Sequence, residues 1–272
     1  MSAIDDLFQQ LKSQNQKAFM PFITAGDPSL EFSSKILKRL DQLGCHLSEV
    51  GIPYSDPIAD GPVIQASYTR ALNQKTKLKG IFSMLSDTRD DLKMPVVTMV
   101  SYAIIFRHGI EEYLKQAIAA GVTGAIVPDL PVDESAELAA KCREYDFSLI
   151  QLITPTTPRS RAIEIAQNTT GFIYYVSIAG ITGERTELPA ELIDNLSWLR
   201  EQTDLPICVG FGISRPEHAL KLKPVCDGMI VGSAIVRRIA KLTEENANET
   251  DVLDDVSQFA TEMLEAINSD SA

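Results

Sequence analysis

The densest chemical signal in the chain is the stretch Ser48-Glu49-Val50-Gly51-Ile52-Pro53-Tyr54-Ser55-Asp56-Pro57-Ile58-Ala59-Asp60-Gly61-Pro62, with one carboxylate near its start and another near its end. The apolar run around Glu49 reads as a strand. Alternation then puts Leu47, Glu49 and Gly51 on one face and His46, Ser48 and Val50 on the other. A carboxylate that shares its face with a leucine and a glycine loses water, so its pKa rises toward neutrality. That range suits a residue that must both give and take a proton. The competing reading is an outward Glu in a surface pair.

A second set is built from missing side chains. Gly183, Gly210, Gly212, Gly232 and Ser233 follow three later strand-like runs, where bare backbone N–H groups could approach phosphate oxygens. A helix starting near Gly232 would add the positive end of its dipole. Any one of these glycines is more simply a turn residue; together they read as a phosphate cradle.

The elements that position these residues recur regularly. Apolar or β-branched runs at about 18–25, 46–52, 95–101, 124–128, 147–154, 171–177, 206–211 and 227–231 read as strands, and most are followed by helical periodicity. This pattern predicts an α/β chain, a single (β/α)8 TIM barrel over residues 1–272. MSAIDDLFQQLKSQ adds a short amphipathic N-terminal helix. Asp27-Pro28 reads as the N-cap and first position of a helix whose stripe Phe32, Ile36, Leu37, Leu40, Leu43 stops at Gly44. Ile110, Tyr113, Leu114 and Ala117 line another helix, ending at Gly121, and Ser214 with Glu217 reads as a capping box around Pro216. Val252, Val256, Phe259 and Met263 mark a final helix. Two connections exceed what closure requires, Pro53 to Pro62 and Ile178 to Pro189. They are either the long active-site loops of a barrel's C-terminal rim or mobile surface.

Composition narrows the partners. A net charge of −12 over 272 residues, without a Lys/Arg cluster, argues against nucleic acid and anionic lipid surfaces. The N-terminus has neither the pattern of a signal peptide nor that of a transmembrane segment. Cys45, Cys142, Cys208 and Cys226 form no CxxC pair and read as reduced core residues, which suits a cytoplasmic protein.

The stretch from Glu49 through Gly61 resembles the signature of the tryptophan synthase α-subunit family. So do Pro21-Phe22-Ile23-Thr24-Ala25-Gly26-Asp27-Pro28, Pro128-Asp129-Leu130-Pro131, Gly180-Ile181-Thr182-Gly183, Gly210-Phe211-Gly212-Ile213-Ser214 and Gly232-Ser233-Ala234-Ile235-Val236, in the family's order. The resemblance implies tryptophan biosynthesis by reverse-aldol cleavage of indole-3-glycerol phosphate to indole and glyceraldehyde 3-phosphate. It implies a carbon–carbon lyase with Glu49 as general acid and base and Asp60 at the indole nitrogen. Tyr174 would lie beside the glycerol moiety, although on sequence alone it could equally be a core aromatic. Phe22, Val100, Tyr102, Leu152, Thr182 and Phe211 are expected around the substrate. No cofactor is expected in this chain; pyridoxal phosphate belongs to the expected β-subunit partner, in an α2β2 heterotetramer. The chain departs from the family at His46, at Ser48 and at Ile104, two residues after Tyr102. His46 has the opposite parity to Glu49, so its effects should fall outside the pocket.

Rival chemistries fit less well. A Schiff-base enzyme needs lysine at the catalytic end of a strand, yet Lys17 and Lys93 precede strands. A metal-dependent aldolase needs clustered ligands, yet His46, His108 and His218 are scattered. A free-standing indole-releasing lyase, and a feebly catalytic barrel that mainly activates a β subunit, stay open.

Overall fold

Nine strand segments pair in parallel through one sheet in a computed structural model that describes residues 2–57, 60–177, 191–210 and 212–269. They are β1 (Ala18–Thr24), β2 (Ser48–Gly51), β3 (Val96–Met99), β4 (Val122–Ile126), β5 (Ser148–Ile150), β6 (Leu152–Ile153), β7 (Ile173–Val176), β8 (Ile207–Gly210) and β9 (Gly228–Val231). The order β5-β4-β3-β2-β1-β9-β8-β7-β6 begins and ends on segments separated in sequence by Gln151 alone, so the ring closes as a (β/α) barrel.

The expected strand 147–154 therefore splits in two. The Gln151 side chain donates to Ser135 Oγ (3.4 Å) and to the Asn168 carbonyl (3.2 Å), while its own carbonyl still accepts from Tyr174 N (3.1 Å). Side-chain parity carries across the break: Ile150 and Leu152 face inward, Leu149 and Ile153 outward. The fourth strand starts earlier than the sequence suggests, at Val122, directly after Gly121 turns the chain with φ +85°. It ends before Pro128, which cannot donate to a ladder.

Strand alternation sorts the apolar residues into two layers. Met20, Phe22, Val97, Met99, Ile126, Tyr174, Val176 and Ile230 fill the barrel interior. Ile23, Val50, Val96, Ala125, Val209 and Val231 pack outward against the helices. Because both faces are buried, these strands read in sequence as continuous apolar runs.

The N-terminal helix Ala3–Ser13 forms as expected, with Ser2 and Asp5 in a reciprocal capping box. Its buried face, Ile4, Phe8 and Leu11, joins the interior cluster, and Phe8 meets Phe172 with ring centroids 5.8 Å apart. The helix thus plugs the end of the barrel where Ala18, Ser148 and Phe172 stand at the N-terminal ends of their strands. The final helix Glu249–Asn268 buries Val252, Val256, Phe259 and Met263, and Asn268 clips the backbone of Lys17.

Two caps differ from the sequence reading. Helix Leu30–Gln42 is capped by Ser29, whose Oγ accepts from Phe32 N (3.0 Å). Asp27 is instead held by Arg70, through two bonds of 2.7 Å each from Nε and Nη2. Ser214 and Glu217 form no capping box: Arg215 occupies the cap of helix Pro216–Leu222, and the Ser214 N–H donates to His218 Nδ1.

Candidate active site

Glu49 lies in the middle of β2, in register with Phe22 on β1 and Val97 on β3, both members of the interior layer. Its side chain is 1% exposed and neither carboxyl oxygen has a hydrogen-bond partner. An ionised carboxylate in that setting would be strongly disfavoured. Burial first, and the nearby charge of Asp60 second, push the Glu49 pKa up to about 8.

Asp60 arrives from the loop after β2 and is 8% exposed. Its backbone is pinned by its own N–H to the Pro57 carbonyl (3.0 Å) and by Gln65 Nε2 donating to the Asp60 carbonyl (2.7 Å). Gly61 then caps helix Pro62–Asn73, with proline in the first turn. Burial raises the Asp60 carboxyl to about 6. Burial thus drives both carboxyls upward, and Glu49, the more deeply enclosed of the two, further than Asp60.

Aromatic rings wall this pair. A Cβ on Gly51 would lie 2.5 Å from Phe22 Cζ, so glycine there is what lets the ring sit against β2. On its other side Phe22 approaches Gly232, where an added Cβ would be 3.6 Å from Phe22 Cβ. Across the interior, Tyr174 occupies the space that a side chain on Gly210 would need. The Tyr174 hydroxyl is held protonated by burial and by the charges of Glu49 and Asp60. Leu152 stands in register with Tyr174. Beside Asp60 opens a cavity of about 510 Å³ whose lining includes Tyr54, Met99, Leu152, Val176 and the Pro128–Val132 turn.

The glycines converge on the same mouth. Gly210 ends β8, Gly212 turns with φ +75°, and Gly232 precedes helix Ser233–Ala240 without a side-chain cap. β8 pairs with β9, β9 with β1, and β1 with β2, so this cradle and Glu49 sit around one C-terminal rim.

Of the residues expected to form the site, Glu49, Asp60, Tyr174, Phe22, Leu152, Gly210, Gly212, Gly232 and Ser233 are gathered at this end. Thr182, Gly183 and Phe211 lie outside the described residues, as does the 178–189 connection. Two of the expected residues pack in the outer layer. Val100 belongs to the helix-facing cluster, because it shares the parity of Val96 and Thr98; Met99 takes the place at the cavity. Tyr102 begins helix Tyr102–His108 and packs against the same outer cluster, near the ring of Phe106. Asp129 organises that helix start, accepting from Ser101 Oγ (2.6 Å) and Tyr102 N (2.8 Å). Ile104 also packs outward.

His46 is structural: its Nδ1 accepts from Phe19 N (3.0 Å), and burial lowers its pKa. Tyr68, on the buried stripe Ile64, Ser67, Tyr68, Ala71, was not singled out by sequence pattern, although that helical spacing was its one visible signal. Its hydroxyl reaches the Gly51 side of the pocket. Among the described residues, no group of three His, Cys, Asp or Glu side chains is placed to hold a metal ion, no helix is long and apolar enough to cross a membrane, and all four cysteines are buried thiols.

The sequence pattern of the family described as tryptophan synthase alpha chain matches residues 8–268. The chain is 56% identical to the tryptophan synthase alpha chain of Rhodopirellula baltica, over 90% of this chain and 89% of that one. It is 43% identical to that of Rippkaea orientalis over 99% of this chain and 100% of the other. Among solved structures, tryptophan synthase subunit alpha from Legionella pneumophila superposes with a TM-score of 0.90 at 33% identity, covering 99% of this chain and 100% of that chain. A chain of Mycobacterium tuberculosis tryptophan synthase gives 0.89 at 26% identity, covering 99% of each.

Proposed function

The chain belongs to the tryptophan synthase alpha chain family, and from that premise we propose that Glu49 and Asp60 carry out the family's reaction here, the cleavage of indole-3-glycerol phosphate into indole and glyceraldehyde 3-phosphate. The observation that carries this reading is a fully buried carboxyl with both oxygens unpartnered, set beside a second carboxyl of lower pKa at the mouth that holds the glycine cradle.

Protonated Glu49 gives its proton to C3 of the indole ring. Positive charge gathers on the ring nitrogen, and the Asp60 carboxylate stabilises it. Glu49, now ionised in an apolar enclosure, takes the glycerol hydroxyl proton; the carbon–carbon bond breaks, and its electrons restore the neutral indole. The proton returns to where it began, so no water, metal or redox partner enters the balance. Phe22 and Leu152 supply apolar walls for the ring, Tyr174 stands by the glycerol moiety, and the N–H groups around Gly210, Gly212, Gly232 and Ser233 take the phosphate. Thr182, Gly183 and Phe211 are assigned to substrate by the family pattern.

The chain works with a β subunit, as its family does. We read the assembly as an α2β2 heterotetramer with pyridoxal phosphate on the partner and no cofactor in this chain. We take residues 1–272 as one barrel unit working in the cytoplasm, a reading that four widely separated cysteines without a CxxC pair support.

The test is Glu49→Gln. Indole formation should fall by about a thousandfold or more, while indole-propanol phosphate still binds. Turnover close to that of the unmodified chain contradicts the assignment.

A further inference from the structure

Asp60 stands on a loop, so the direction of its carboxylate depends on what holds the loop's backbone. One side chain holds that backbone at two points. Gln65 Nε2 donates to the Asp60 carbonyl (2.7 Å) and to the Pro57 carbonyl (3.2 Å), and the Pro57 carbonyl also accepts from Asp60 N (3.0 Å). Both acceptors of the carboxamide are carbonyl oxygens, so it commits both of its N–H donors to them. The Asp60 carbonyl and the Asp60 side chain leave the same Cα, so fixing one restricts where the other points. Gln65 is itself exposed and adds nothing to the core.

The helix that carries Gln65 is moored to β1. Ser67 Oγ and Thr24 Oγ1 are 2.6 Å apart and buried. About one turn on, Arg70 grips the buried Asp27 through Nε and Nη2 at 2.7 Å each. β1 in turn sets Phe22 in register with Glu49 on β2. A continuous run of bonds therefore leads from the strand pair that holds Glu49, through helix Pro62–Asn73, to the backbone of Asp60. Gln65 is its last link.

We propose that Gln65 is a positioning residue for the lyase reaction, its carboxamide fixing the Asp60 backbone so that the carboxylate meets the ring nitrogen of a substrate whose C3 is held at Glu49. This rests on the roles given above to Glu49 and Asp60. A misplacement of about 1 Å costs up to about a hundredfold in rate. Losing the Gln65 donors frees two carbonyls of the loop at once and removes the tie that prevents such a shift.

The experiment is Gln65→Met in the full chain, assayed for indole-3-glycerol phosphate cleavage with the β subunit present. Methionine keeps the length and the helix propensity of glutamine but has no donor. The kcat should fall about tenfold to a hundredfold, while Tm moves by no more than about 4 °C. Glycerol 3-phosphate lacks the indole that Asp60 meets, and its Kd should stay unchanged. Gln65→Glu, which turns a carboxylate toward both carbonyls, should lose more activity than Gln65→Met. In an Asp60→Asn background Gln65→Met should cost less than about twofold, because its effect runs through the missing charge. An unchanged kcat, a Gln65→Glu variant as active as the unmodified chain, a weakened glycerol 3-phosphate site, or an equal loss in both backgrounds overturns the proposal. If Asp60→Asn is impaired while Gln65→Met is not, the role of Gln65 alone falls. If Asp60→Asn turns over normally, the reading of the whole site falls with it.

Discussion

At the N-terminal mouth of the barrel, Ile4, Phe8 and Leu11 close the interior, and the polar groups around them are partnered: Ser2 with Asp5 and Ser148, Lys17 with Asn268, and Asp227 with Arg200 and the Ile207 N–H. At the C-terminal mouth, Glu49 and Tyr68 leave buried oxygens without partners, and two carboxyls have pKa values driven upward by burial. One barrel thus holds a satisfied end and an unsatisfied one. Unpaired buried oxygens lower stability; among the described residues they gather at one mouth, the end at which we propose that binding and chemistry supply the missing interactions, while the plugged mouth supports the fold.

Substitutions at the two mouths should therefore fail in opposite ways. The larger effect of this pair belongs to Asp60→Asn, which keeps the shape but removes the charge; kcat for indole formation should drop about a hundredfold to a thousandfold, with Tm unchanged or raised. Near-normal kcat would mean that the charge at this mouth is incidental. Phe8→Ala should do the reverse, removing about 3–5 kcal/mol of stability through lost packing against Phe172, while kcat/KM of the folded enzyme at low temperature stays within about twofold of normal. A large kcat loss in that variant, at full folding, would erase the division between the two ends.

The sequence carried the barrel well, because each strand is an apolar run bounded by turn residues. It carried the two layers poorly at strand ends. Val100 is apolar and next to Met99, and only the register of β3 shows that Met99 faces in and Val100 out. Gln151 looks like part of an uninterrupted strand until its side chain is seen tied to Ser135 and the Asn168 carbonyl. Asp27 reads as a cap from its local neighbours, yet a residue far along the chain, Arg70, claims it. The inward burial of Glu49 was legible because strand alternation and motif agree. Tyr68 was not, because on a helical stripe a buried tyrosine looks like core, and its unpartnered hydroxyl is visible only in three dimensions.

The mechanism proposed for this mouth depends on Glu49 holding a proton that its neighbour does not. The most direct measurement is a carbon-13 NMR titration of the Glu49 side-chain carboxyl in the full chain. Burial and the adjacent Asp60 charge predict a midpoint near 8, with the protonated carboxyl dominant at pH 7. A midpoint in the ordinary carboxylate range, near 4.5, would leave Glu49 ionised at neutral pH with no proton to give, and would contradict the account.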